Sequence, residues 1–105
     1  MSYCASISAA ANGTRTIVTG VSGSKIVPTS LWIVSSGNVD GYFQGGDDVA
    51  LIGDATNDIN FNTHTGFHPW NPNGLCVVPA GENFELVLGV GGAVAGCITY
   101  ELVKA

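Results

Sequence analysis

Phe84, Leu86, Leu88 and Val90 take every second position of one short run, and this two-residue period recurs along the chain. Such a run puts its apolar groups on one side of an extended strand and frees the other side. No segment carries a convincing 3.6-residue repeat, and Gly, Asn, Asp and Pro clusters cut the runs short. That punctuation specifies an all-β chain. With 105 residues, residues 1–105 make a single domain: an antiparallel β-sandwich, jelly-roll-like, with eight or nine short strands.

The runs can be placed in order. Tyr3, Ala5, Ile7 and Ala9 share one side of a first strand; Asn12-Gly13 is a hairpin signal, with Arg15 to Thr19 as the return strand. Lys25 to Ser35 is the longest run of the front half. Within it Ile26 and Pro28 have one parity and Leu31 and Ile33 the other, so an extra residue near Pro28-Thr29-Ser30 is expected as a β-bulge. With Leu31 and Ile33 inward, Trp32 and Val34 point out. Short strands follow at Val39 to Gln44, Val49 to Ile52 and Ile59 to Asn62, then a long aromatic loop over 63–74 and a short strand at Leu75 to Val78. The chain closes on an expected hairpin, Phe84 to Val90 against Val94 to Leu102, with a three-residue loop Gly91 to Ala93. In that register Val90 faces Val94, Leu86 faces Ile98 and Phe84 faces Tyr100, leaving Glu85, Val87, Gly89, Ala95, Cys97, Thr99 and Glu101 outside.

Charge separates this sandwich from an ordinary soluble one. Only 10% of residues are charged, against about 25% in typical soluble domains. Three Lys or Arg against eight Asp or Glu give a net charge of −5. Nucleic-acid binding needs several cationic phosphate contacts, and no basic cluster exists to make them. The same shortage disfavours an anionic membrane surface. Apolar runs are far below the ~20 residues of a membrane-spanning helix, and Met1-Ser2-Tyr3-Cys4 does not read as a signal peptide. The expected partners are therefore proteins: part of the outer surface is covered by other subunits. Trp32, Val34, Val87, Ala95 and Cys97 are the expected subunit contacts.

Catalytic and metal chemistry find little support. His64 and His68 are four apart, but Gly66 and Pro69 break the helix that would give this spacing meaning. Asp47, Asp48, Asp54 and Asp58 lack the spacing of a calcium loop and read as a solvated acidic rim. No serine stands in a G-x-S-x-G context, and the glycine runs lack the lysine and helix of a phosphate cradle. The expectation is a non-enzyme with no cofactor and no metal. Cys4, Cys76 and Cys97 form no CxxC pattern and are expected as free buried thiols of a protein made in a reducing cytosol. The loop carrying His64, Phe67, His68 and Trp70, with Asn71 and Asn73, has two readings: a glycan-recognition platform, or aromatic side chains that cap an open end of the sandwich. The second is preferred.

Lys25-Ile-Val-Pro-Thr-Ser-Leu-Trp-Ile-Val-Ser-Ser-Gly37, Tyr42-Phe43-Gln44-Gly45-Gly46, the loop Pro69-Trp-Asn-Pro-Asn-Gly74, Ala80-Gly-Glu-Asn-Phe-Glu-Leu-Val-Leu88 and Gly96-Cys-Ile-Thr-Tyr100 occur in a familiar order. In strand order and turn residues, over about three-quarters of the chain, this resembles small β-sandwich virion proteins of tailed bacteriophages, the capsid decoration (cement) proteins among them. The resemblance implies a homotrimer made in the host cytoplasm and bound to the outer capsid surface of the virion. There it would bridge subunits of the major capsid protein. The alternative it leaves is a tail or head fibre module that recognises a host cell-surface glycan.

Overall fold

Extended segments form where the two-residue period runs and end where glycine, proline or Asx residues break it. The structure, a computed structural model, describes residues 2–9, 13–56, 58–61, 67–89 and 93–105. Among them lie eight strands: β1 (Ser2–Ala9), β2 (Gly13–Val18), β3 (Ser24–Ser35), β4 (Val39–Gly45), β5 (Ala50–Ile52), β6 (Ile59–Phe61), β7 (Phe84–Leu88) and β8 (Val94–Lys104). They form two antiparallel sheets, a three-stranded one in the order β1-β8-β3 and a five-stranded one in the order β2-β7-β4-β5, with β6 also on β4.

A further segment completes the smaller sheet. Residues 67–78 run antiparallel along the free side of β3, with bridges Ile33 to Phe67, Ser30 to Trp70 and Ile26 to Val78. Phe67 N–H donates to the Ile33 carbonyl at 2.9 Å, and Ile33 N–H returns the bond at 3.0 Å. Leu31 N–H donates to the Pro69 carbonyl and Leu75 N–H to the Pro28 carbonyl, so both prolines are used only as acceptors. Counting this segment, the sheets read β1-β8-β3-(67–78) and β2-β7-β4-β5, which is the strand order of a jelly roll.

This order corrects two pairings expected from the sequence. β7 and β8 are not a hairpin: β7 lies between β2 and β4, and β8 between β1 and β3. The expected partners are instead Leu86 with Arg15 and Phe43, and Ile98 with Ala5 and Leu31. Likewise β1 and β2 sit in different sheets and are not a two-strand hairpin; Gly13 is the first residue of β2. Val90, Gly91, Gly92 and Asn12, on which those two turns were placed, lie outside the described residues. The bulge expected in β3 is present, as a register shift between Pro28 and Ser30 against β8. Thr29, the extra residue, points its hydroxyl to the Thr99 carbonyl at 3.1 Å, so its buried oxygen has an acceptor.

The space between the sheets is filled by the inward set. Ile7, Ile26, Leu31, Ile33 and Ile98 from one sheet meet Phe43, Phe84, Leu86 and Leu88 from the other. Phe43 is at the centre: its ring stacks on Phe84 at 5.4 Å and on Phe67 at 6.4 Å, and meets Phe61 edge-on at 6.4 Å. Phe67, half-buried, therefore packs against the core, in the sense of the preferred capping reading and away from the glycan-platform alternative. Its burial is what holds residues 67–70 against β3.

Candidate functional site

With core residues on alternate positions, cross-strand pairing dictates what shares the outer face of the smaller sheet. One row runs Ser6, Cys97, Trp32, and His68 adjoins it with its ring 5.8 Å from that of Trp32. The row on one side is Cys4, Thr99, Ser30 and Trp70; on the other it is Ser8, Ala95 and Val34. None of these side chains is Asp, Glu, Lys or Arg. Trp70 is 71% exposed, Trp32 54% and Val34 45%. Beyond Val34 and Ala95 the face dips into an open hollow of about 390 Å³ bordered by Ser36 and Ala93.

Charge sits elsewhere. Asp40, Asp47, Asp48, Asp54, Asp58, Glu82 and Glu85 lie in the larger sheet or in loops adjoining its strands, leaving only Glu101 on the smaller one. Lys25 and Lys104 are near neighbours at one end of the smaller sheet, outside the three rows. On the larger sheet Gln44, buried, donates its amide hydrogens to Glu85 at 2.8 Å and to Asp48 at 3.2 Å, and so holds two carboxylates close to one group. Asn60 donates to Asp40 at 2.7 Å. The molecule thus has one acidic, hydrogen-bonded face and one face that is uncharged and rich in tryptophan.

The expected contact residues divide accordingly. Trp32, Val34, Ala95 and Cys97 lie together on the uncharged face, while Val87 pairs with Thr14 and Tyr42 in the other sheet. Val87 was grouped with them through the hairpin that does not form, so it leaves the site. His68 and Trp70, which the glycan alternative places in a separate recognition loop, join the same face through the pairing of 67–70 with β3. The preferred reading of Trp70 as an end cap is corrected by its exposure. His64 lies outside the described residues. Ser6, Ser8, Cys4 and Ser30 were missed, and their only signal was even spacing on strands whose partners were unknown.

The thiols also differ from expectation. Cys4 and Cys97 are exposed on the uncharged face and free. Cys76 is half-buried, packs on the core, and burial pushes its thiol up to about 11. Cys4 is opposite Thr99 and Cys97 opposite Ser6. Diagonal neighbours of this kind stand about 7–8 Å apart, beyond the usual reach of a disulfide.

Comparison with protein-family models, with curated proteins and with solved structures finds no match to this chain.

Proposed function

We propose that this chain is a virion subunit of the capsid-decorating kind, which docks on the major capsid protein through the uncharged face built around Trp32. The observation that carries this reading is the segregation of charge: a patch with Trp32, Trp70, Val34 and Cys97 but no ionic group, set opposite an acidic layer. Interface cores favour aromatic residues and exclude charge, and buried tryptophans supply much of the binding energy where they occur. The acidic layer would then face solvent and keep a decorated shell soluble. A protein that binds only the mature shell stabilises that state by mass action.

The test is cosedimentation with purified shells that lack the protein. The intact chain should pellet with the shells and raise their melting temperature. Trp32→Ser should weaken binding at least about tenfold, the cost of losing one buried aromatic anchor, with its own unfolding curve unchanged. Equal binding by Trp32→Ser would sink the assignment of this face.

One observation favours a second reading, glycan recognition by a fibre module. Among the described residues Trp70 is the most exposed of the large apolar side chains, with Asn71 and Asn73 next to it in sequence and His68 near Trp32. The two separate on what the intact chain binds: cell-surface glycan binding that Trp70→Ala abolishes, by a chain that does not pellet with shells, would establish the second and end the first.

A further inference from the structure

The edges of the sandwich are guarded unequally. β3 is covered by residues 67–78, which bring Pro69 and Pro72. β2 carries Arg15 and a register shift between Thr16 and Val18. β5 is three residues long and follows Asp47 and Asp48. β1 has none of these devices. It pairs with β8 in unbroken register over all eight of its residues, and it holds no charge, proline or bulge. No described residue pairs with its other side. Long, flat, uncharged edges of this kind add strands readily.

We infer that β1 is the pairing edge for a second copy of this chain, joined antiparallel across a two-fold axis. Three observations select a second copy. Core residues must stay on the core side, so a residue of β1 faces one of equal parity, and the axis passes through Ala5 or Ser6. In either register the outward partners are drawn from Ser2, Cys4, Ser6 and Ser8, which are small and free of charge. Electrostatics allow the same edge: with a net charge of −5 per chain, copies repel wherever carboxylates meet, and Asp40, Asp47, Asp48, Asp54 and Asp58 lie on or around β4 to β6 and Glu82 and Glu85 around the start of β7. Glu101, opposite Ser2 at one end of β1, is the one carboxylate of the smaller sheet, and antiparallel pairing sets it and its copy at opposite ends of the seam. The third is area. The four strand positions and three rows of the uncharged face cover roughly 400 Å² at ordinary strand spacings, about half of the ~800 Å² that one partner contributes to a standard interface. Pairing through β1 makes a continuous sheet, β3-β8-β1 followed by the same strands of the second copy in reverse, and sets two such faces side by side. This last advantage rests on the docking reading above; the pairing does not.

Sedimentation equilibrium on the free protein tests the pairing without any shell. The expected species at high micromolar concentration has twice the 10.7 kDa chain mass. Ser6→Lys sets two cations directly opposite each other when the axis passes through Ser6 and on diagonal positions about 7–8 Å apart when it passes through Ala5, and should raise the dimer dissociation constant at least about tenfold, with an unchanged circular-dichroism spectrum. Should that variant fail to fold, amide exchange of the intact protein replaces it: the β1 amides that point away from β8 should slow as concentration rises. A monomer throughout, a three-chain species, or a dimer indifferent to Ser6→Lys and without β1 protection would overturn the proposal. Shell binding by Trp32→Ser equal to that of the parent, with the dimer intact, would sink the docking reading and leave the pairing standing, so the two readings fail separately.

Discussion

Gly96 is the position at which the structure reverses an expectation drawn from composition. Glycine inside a strand ordinarily weakens it, so replacement by alanine is expected to gain about 0.5–1 kcal/mol. Gly96 sits in β8 between Ile7 of β1 and Ile33 of β3, and its φ lies outside the left-handed region, so no backbone strain would accompany a side chain. A Cβ there would overlap the backbone carbonyl of Trp32, with the Trp32 carbonyl carbon at 2.7 Å and the Ile33 Cα at 3.0 Å. Backbone cannot swing aside as a flexible side chain can. Relief requires β3 to move from β8, which combines an overpacking cost of about 1–3 kcal/mol with one or two weakened ladder bonds at about 1 kcal/mol each. After the propensity gain, Gly96→Ala should destabilise by about 2–4 kcal/mol, a large share of the ~5–15 kcal/mol of a domain this size. Urea titration with fluorescence detection measures it, and the melting temperature should fall by about 10–20 °C. Gly37→Ala is the control, because a Cβ there meets nothing within 4 Å; it should change stability by no more than about 1 kcal/mol. If Gly96→Ala is as stable as the parent, the close approach of β3 to β8 is wrong, and with it the seat of Trp32.

Three further outcomes follow from the core and the thiols. Phe67→Ala removes a half-buried ring stacked on Phe43 and set edge-on to Phe61 at 5.7 Å; it should cost about 2 kcal/mol, below the 3–5 of a fully buried phenylalanine, and speed amide exchange at Leu31 and Ile33, whose N–H groups bond to Pro69 and Phe67. Iodoacetamide should label exposed Cys4 and Cys97 before Cys76: with its thiol near 11, Cys76 has about a hundredth of the usual thiolate, partly offset by greater nucleophilicity, for a net lag of roughly tenfold. Because burial favours the neutral thiol of Cys76, the fold holds its full stability below the ordinary thiol pKa and loses part of it as pH rises toward 11. A Cys76→Ala variant should flatten that loss in a pH series of urea midpoints.

The two-residue period by itself determined much of this molecule: the all-β class, most strand positions, the bulge after Pro28, and the outward direction of Trp32, Val34, Ala95 and Cys97. Alternation reports which way a side chain points because pleating is local to one strand. It says nothing about which strand lies beside it. In a jelly roll, sequence neighbours such as β7 and β8 cross to opposite sheets, and only packing of the whole chain decides this. Val87 therefore left the group to which its parity assigned it, and His68 and Trp70 entered. Phe67 and Trp70, three residues apart in one irregular stretch, gave no periodic signal to separate them. The core opening beside Phe43 took one ring, and pairing with β3 turned the other to solvent opposite Ser30. Which residues share a face is a property of strand neighbours, and neighbours are chosen by tertiary structure alone.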